Sequence, residues 1–208
     1  LGNFNNATYT ADGITSRFFK RDGKFFIHTQ SEDGSYKDYE VLYTFGYYPL
    51  QQYITDFPNG KKQVFRQSRD SRQNKWFHQY TGEVISPDDY LHWTQAGQNW
   101  NLMCASCHST NLQKNLNPYT DSYHTTYSEL TVSCESCHGG AKTHAESKGK
   151  TRTFVLASQT QELNACMPCH TRRGEVTQHH AMVTEVMDEY LPEVPVTDLY
   201  FPDGQVLG

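Results

Sequence analysis

The chain has 208 residues, of which 36% are hydrophobic, and its formal net charge is -5 at neutral pH. This length predicts one or two domains, and no run of about eighteen apolar residues is present that would span a bilayer. The negative charge argues against nucleic-acid binding, because phosphate backbones attract basic surfaces. The mean hydropathy is -0.75, which is low for a protein that builds its core from side chains alone.

Residues 8–80 predict an antiparallel β-meander. The dipeptide Asp22-Gly23 separates two apolar runs, and Asp33-Gly34 repeats the arrangement. Asp-Gly between apolar runs is typical of tight hairpin turns, and residues 58–60 predict a third turn. The run between the second and third turns alternates with a period of two. This alternation predicts one shared face for Tyr39, Val41, Tyr43 and Phe45.

From about residue 87 the pattern changes to short helices and loops. Ser128 is a candidate cap for a helix that runs toward Cys137, with Gly139-Gly140 at its end. Residues 158–169 and 181–190 predict two further helices, the second stopped by Pro192. We therefore predict an α+β fold, with a β-rich domain at residues 1–86 and a second domain at 87–208.

The two ends of the sequence look interrupted. Residues 199–208 predict a strand, a Pro-Asp-Gly turn and a second strand that stops after three residues. A hairpin this short is only marginally stable by itself. We expect the native chain to extend beyond these ends.

One five-residue motif, Cys-x-x-Cys-His, occurs at residues 104–108, 134–138 and 166–170. In this motif the two thiols can form thioether bonds to one haem, and the adjacent imidazole can bind its iron. All six cysteines of the chain fall inside the motifs. The motifs predict three covalently bound haem c groups. The predicted attachment residues are Cys104, Cys107, Cys134, Cys137, Cys166 and Cys169, and the predicted iron ligands within the motifs are His108, His138 and His170.

Zinc is the main alternative, since paired Cys-x-x-Cys units also form four-thiolate sites. However, 26 residues separate Cys107 from Cys134, more than the usual gap of about 15 to 20 in such sites. The third pair would also lack a partner, and a zinc site does not require a histidine after every second cysteine. The pattern therefore favours haem.

The sixth iron ligand decides between electron transfer and chemistry at the metal. His78 lies between Trp76 and Tyr80 on one face of a predicted strand, and His92 also has apolar neighbours. His144 follows His138 by six residues, a reach of about 20 Å when fully extended, so it is better placed to bind a neighbouring haem than its own.

Other side chains are weaker candidates for this role. His124 and His180 are reserves, whereas His28 resembles a solvated hairpin residue. The methionines either adjoin the motifs or have a spacing typical of a core. We therefore expect ligation by paired histidines, which gives lower potentials than histidine with methionine.

Several runs of the chain carry a further signal: residues 76–78, 91–93, 98–101, 103–112, 133–140, 166–173 and 203–205. Together they resemble the bacterial multihaem c-type cytochromes that are often fused to tetratricopeptide repeats. That resemblance implies electron transfer in the cell envelope, and His78, His92 and His144 match recurring histidines of the family. Members usually carry a further motif before this region and another after it, and they tend to have Gly-Pro-Gly where this chain has residues 139–141.

The first hypothesis is therefore an electron-transfer cytochrome with three six-coordinate haems. Covalent haem attachment of this kind takes place outside the cytoplasm, so we expect a periplasmic or extracellular location. Expected partners are other redox proteins or further haem domains. The acidic stretch at 174–208 would suit a basic partner, although solvated surface charge is the commoner meaning of such a stretch. An enzyme acting on a small nitrogen or sulfur compound at an open haem is an alternative, as is a subunit of a homo-oligomer, filament or larger complex.

Overall fold

The computed structural model describes residues 1–152, 156–170, 173–175 and 190–192. The chain forms two compact units, Leu1–Met103 and Cys104–Gly208. The predicted domain boundary between residues 86 and 87 lies inside the first unit. It stays a prediction, because a compact unit is not by itself a domain that folds independently.

The first sheet is the predicted antiparallel meander. Its strands follow the chain order, and each neighbouring pair is antiparallel. Asp22 and Gly23 both have positive φ angles, 52° and 75°, as the predicted tight turn between twisted strands requires. The four strands are β1 (Ala7–Ala11), β2 (Ile14–Arg21), β3 (Lys24–Gln30) and β4 (Tyr36–Glu40).

The second sheet has the order β5-β6-β8-β9, with β7 paired to β6. The alternating run that begins at Tyr39 serves both sheets, because it is divided between β4 and β5. At the division the Val41 N–H donates to Phe25 and the Leu42 N–H donates to Ile54, at 2.8 and 2.9 Å. The strands are β5 (Tyr43–Phe45), β6 (Leu50–Asp56), β7 (Lys62–Val64), β8 (Gln67–Asp70) and β9 (Lys75–His78).

An aromatic core joins these strands to the loop that follows them. Trp93 is only 2% exposed, stacks on Phe65 at a centroid distance of 5.2 Å, and donates its indole N–H to the Gln30 carbonyl at 2.9 Å. Residues after 87 therefore contribute to the core of the first unit. The buried members of this core are Phe4, Phe18, Ile27, Tyr53, Phe65 and Trp93.

A charged cluster lies on the outer side of the first sheet. The Asp38 carboxylate accepts hydrogen bonds from Arg21 at 2.9 Å and His28 at 2.8 Å. Burial by itself would raise the pKa of Asp38, but these hydrogen bonds outweigh burial and hold that pKa below its ordinary value. The ionised carboxylate therefore stabilises the folded state.

We expect Asp38→Asn to lower the free energy of unfolding by about 0.5–1 kcal/mol at pH 7. The contribution of Asp38 is complete above its unfolded-state pKa of about 3.9 and is lost as the pH falls through the lower folded-state value. Urea denaturation of both proteins at several pH values measures the difference. Asp22→Asn, in an exposed turn, is the charge-matched control. A difference that stayed constant down to pH 2 would contradict the prediction.

The second unit has little regular structure in its described residues. The helix predicted from Ser128 is wrong in its start, because Glu129 forms an antiparallel bridge with Thr110 and the helix begins only at Glu135. Its predicted end at Gly139 is confirmed, with a φ of 67° at that residue. The helices are α1 (Trp100–Met103, still in the first unit), α2 (Ala105–His108), α3 (Glu135–His138), α4 (Lys142–Glu146) and α5 (Gln159–His170).

The helix predicted at residues 158–169 is confirmed by α5. The helix predicted at 181–190 lies outside the described residues except for Tyr190, which is in a strand, and the predicted terminal hairpin at 199–208 also lies outside them. Within the described ranges no helix is both long and apolar enough to cross a membrane. The described part of this unit also contains two antiparallel strand pairs, formed by β10 (Leu116–Asn117) with β11 (Ser122–Tyr123) and by β12 (Arg173–Glu175) with β13 (Tyr190–Pro192).

Candidate haem-binding site

Each predicted attachment motif ends in a helical turn. In the first motif the His108 N–H donates to the Cys104 carbonyl at 3.1 Å, and in the second the His138 N–H donates to the Cys134 carbonyl at 2.9 Å. The third motif is the last turn of α5. On a helix, residues three and four positions apart are neighbours. The two thiols and the histidine of a motif therefore lie on the same side of the turn, as attachment to one porphyrin requires.

The surroundings of the second and third motifs fit a large apolar group such as a porphyrin. Leu130 and Val132, just before the second motif, are 37% and 57% exposed, and Leu163 is 45% exposed. Leu163 lies three residues before Cys166 on α5, so it shares a helix face with that thiol. Each of these exposed apolar side chains is close in sequence to a predicted attachment cysteine, and exposed apolar surface is often covered by a bound group. The donor set and its apolar border therefore fit covalently bound haem.

A zinc site in place of haem would need ligands from more than one motif at one point. Across the described part of the chain, no three side chains of His, Cys, Asp or Glu come together as a metal cluster. A structural zinc site needs four such ligands in tetrahedral array.

His78 and His92 line the same pocket in the first unit. The sequence indicated these two residues as separate candidates, and the fold places both in one pocket with the Arg66 guanidinium. Burial, and after it the positive charge of Arg66, lower the pKa of both imidazoles. Both rings are therefore neutral at pH 7, which is the form that binds metals. The pocket is lined by Arg66, His78, Tyr80, Ile85, Leu91, His92, Trp93 and Gln98.

His92 is held through the loop that carries it. Its Nδ1 lies 2.8 Å from the Thr94 hydroxyl and accepts the Thr94 N–H at 3.4 Å, so residue 94 orients the ring through Nδ1 and Nε2 is the nitrogen left for a metal. The neighbouring backbone is anchored by Gln63, whose side-chain amide donates to the Trp93 and Gln95 carbonyls at 2.9 and 3.0 Å. Gln63 is buried in β7. The second sheet thus fixes the position of this imidazole.

His78 ends β9, and its side chain is 2% exposed. Its Nδ1 is buried and has no hydrogen-bond partner among the described residues. The nearest acid is Asp12, with a carboxylate oxygen 3.6 Å from Nδ1 and 3.7 Å from the Arg66 guanidinium. A buried unpaired nitrogen is costly. A ligand bound in the pocket would supply the missing partner and offset that loss of folding stability.

His144 is presented by α4 and a shaped loop after it. The His144 Nδ1 lies 2.6 Å from the Thr151 carbonyl, so Nδ1 carries the proton and Nε2 is the nitrogen suited to a metal. Ser147 closes this loop, because its hydroxyl donates to the His144 carbonyl at 3.0 Å and accepts the Thr151 N–H at 2.9 Å. The Glu135 carboxylate accepts the Ala141 N–H at 2.6 Å just before the helix.

The reserve histidines differ from these three. His124 is exposed, and its backbone pairs with Asn115 at the β10–β11 hairpin. His180 lies outside the described residues. His28 contacts Asp38 on the first sheet, in agreement with its predicted position on a hairpin. The structure does not place His144 relative to His78 and His92, since they belong to different units.

Sequence reasoning did not identify the residues that support the histidines. Asp12 forms a hairpin turn with Gly13, at φ angles of 52° and 78°, and the Asp-Gly dipeptide gives a signal for that turn but none for its contact with Arg66. Thr94 is two residues from His92, and a hydroxyl beside a candidate ligand is the one signal that was available. The Thr151 contact uses a backbone carbonyl, which leaves no mark in the sequence.

Residues 60–139 match the family described as cytochrome c554 and c-prime. The matched segment contains the first two motifs and the pocket histidines His78 and His92. It supports the class that the motifs predict, a multihaem c-type cytochrome. Proteins of that class bind haem through cysteine thioethers.

Two solved structures are similar to this one. The outer cell wall cytochrome OcwA has a TM-score of 0.48 and 17% identity, over 76% of this chain and 34% of that one. An undecahaem cytochrome from the S-layer of Carboxydothermus ferrireducens has a TM-score of 0.42 and 19% identity, over 62% of this chain and 18% of that one. The chain thus spans about a third of the first protein's length and under a fifth of the second's. No curated protein matches the chain.

Proposed function

We propose that this chain transfers electrons through three covalent haem c groups, each with two histidine ligands. The observation that carries the proposal is the motif geometry, in which a helical turn puts two thiols and a histidine on one side, three times in the chain. His108, His138 and His170 are the proximal ligands. His78, His92 and His144 are the distal ligands, because each is partly or fully buried and two of them have Nδ1 engaged by an oxygen.

When bound, the haem supplies an iron that accepts one electron from a reduced donor and passes it to an oxidised acceptor. The residues of this chain determine where the haem lies and how easily it is reduced. Thioether bonds to the cysteines hold it in place. The Thr94 hydroxyl and the Thr151 carbonyl orient the imidazoles of His92 and His144. A sixth ligand at every iron excludes substrate, which is the condition for a carrier rather than an enzyme.

The proposed location is the periplasm or the cell exterior, because covalent haem attachment of this kind takes place outside the cytoplasm. The proposed partners are other redox proteins or further haem domains. Residues 174–208 contain seven acidic side chains and no Lys or Arg, so a partner with a basic surface would be attracted to them.

Two measurements on the purified holoprotein test the proposal. Mass spectrometry of denatured protein should give the polypeptide plus three haems, because thioether bonds survive denaturation. Electron paramagnetic resonance of the oxidised protein should show low-spin signals alone. A mass equal to the bare polypeptide would refute the proposal. A high-spin signal that shifts on adding nitrite or hydroxylamine would instead favour the alternative of an enzyme with an open haem.

The role of Thr94 provides a further prediction. Thr94→Val removes the hydroxyl that orients His92, and loss of such a supporting partner typically weakens a metal ligand about 10- to 100-fold. We expect a high-spin fraction to appear and added imidazole to bind at that haem. Thr94→Ser keeps the hydroxyl and should behave as the unmodified protein. Unchanged spectra in Thr94→Val would show that His92 is not a ligand.

A further inference from the structure

The first and third attachment motifs are in reciprocal contact. The Cys107 Sγ lies 3.8 Å from the Pro168 carbonyl oxygen, and the Cys169 Sγ lies 4.0 Å from the Ser106 carbonyl oxygen. Pro168 directly precedes Cys169, and Ser106 directly precedes Cys107. The contact between the two motifs is therefore the same in both directions. Ser106 and Pro168 are buried. Thus α2 and α5 pack through the residues that the haem-binding thiols flank.

The second motif is joined to the first by a different contact. Thr110, two residues after His108, is 2% exposed, and its hydroxyl lies 2.7 Å from the Ser136 hydroxyl inside the second motif. The same hydroxyl donates to the Thr131 carbonyl at 2.7 Å and accepts the Ser133 N–H at 3.0 Å. These bonds attach the start of α3 to the segment that follows α2.

The exposure of the thiols agrees with a central first motif. Cys104 and Cys107 are both partly buried, whereas Cys134 and Cys137 are both exposed. In the third motif the exposed thiol is Cys166, and Cys169, which faces Ser106, is partly buried. The first motif is thus the most enclosed of the three, as expected for the middle member of a row.

We propose that the first haem-attachment site lies between the other two, so that the spatial order of the motifs is second, first, third. This inference rests on the proposed function, because it orders the three haems that the function requires. An electron that enters at one outer site reaches the other by way of the first motif. At each transfer the donor iron goes from ferrous to ferric and the acceptor iron from ferric to ferrous.

Removing the second haem-attachment site distinguishes the proposed spatial order from an arrangement in which the sites follow the order of the chain. In a Cys134→Ala, Cys137→Ala variant, the first and third haems remain neighbours, and their coupling should preserve a two-signed circular dichroism band in the Soret region. If the sites followed the chain order, the missing middle haem would abolish that band. Loss of the band in this variant, with both remaining haems present by mass, would overturn the inference and leave the proposed function intact.

A control variant and an independent measurement complete the experiment. A Cys104→Ala, Cys107→Ala variant should lose the two-signed band, because the outer haems would be left apart.

A crystal structure of the unmodified holoprotein, with irons located by anomalous scattering, needs no variant to fold. It should show the iron of the first motif as the nearest neighbour of each of the others. Irons of the second and third motifs closer to each other than to the first would overturn the inference, and absence of covalent haem would overturn the proposed function as well.

Discussion

Replacing Trp93 with alanine should lower the free energy of unfolding by about 3–5 kcal/mol, the usual cost of removing a large aromatic side chain from a core. Trp93 stacks on Phe65 and meets the ring of Tyr39 edge-on at 4.9 Å. Its indole N–H bonds the Gln30 carbonyl at the end of β3. One side chain therefore connects both sheets to the loop that carries His92.

Urea denaturation of the holoprotein, followed by far-ultraviolet circular dichroism, measures this loss. Trp93→Phe keeps an aromatic ring and removes the hydrogen bond, so it should cost less than the alanine variant. Tyr119→Ala is the matched control, since Tyr119 is 97% exposed and its replacement should change stability by less than about 0.5 kcal/mol. A cost below 1 kcal/mol for Trp93→Ala would mean that the loop does not pack on the sheets.

The structure confirms sequence predictions that depend on local chemistry. The Asp22-Gly23 turn forms because both residues tolerate positive φ, and it sets the pairing of β2 with β3. Likewise, α5 follows from a capping serine and a run of residues that accept helical geometry. The predicted α+β fold class is confirmed for the same reason, since turn and helix signals are written within a few residues.

Features that depend on distant partners were not predictable. Ser128 has the chemistry of a helix cap, but the next residue, Glu129, forms an antiparallel bridge with Thr110, and no helix begins there before Glu135. The alternation from Tyr39 to Phe45 marks one apolar face and gives no sign of the passage between two sheets near Val41. In both places tertiary hydrogen bonds outweigh the local preference.

In the candidate site, too, some residues are evident from the sequence and others depend on tertiary packing. The motif histidines are evident from spacing, because the attachment chemistry needs the residues adjacent in sequence. His78 and His92 lie fourteen residues apart in the chain, and their shared pocket arises from the packing of the residue 80–98 loop on the sheet. Arg66, whose charge adds to burial in lowering the pKa of both rings, belongs to a stretch of several basic residues and has no sequence pattern that singles it out. Only burial distinguishes it from its neighbours.

With the proposed ligation, replacing His144 with alanine should convert one of the proposed haems from low spin to high spin. The loop after α4 orients the His144 ring, since Ser147 accepts the Thr151 N–H and so positions the Thr151 carbonyl that accepts the Nδ1 proton. Such an arrangement leaves Nε2 as the metal-binding atom. Without the imidazole, one iron keeps five ligands and becomes open to small molecules.

Electron paramagnetic resonance of the oxidised variant measures the change, and added cyanide should restore a low-spin signal. His144→Met supplies another sixth ligand and should keep the haem low-spin at a higher potential. His124→Ala is the matched control, because His124 is an exposed histidine of the same unit, and its spectrum should not change. A high-spin signal in His124→Ala, with none in His144→Ala, would transfer the role of ligand to His124, because the side chain whose removal opens the iron is the one that binds it.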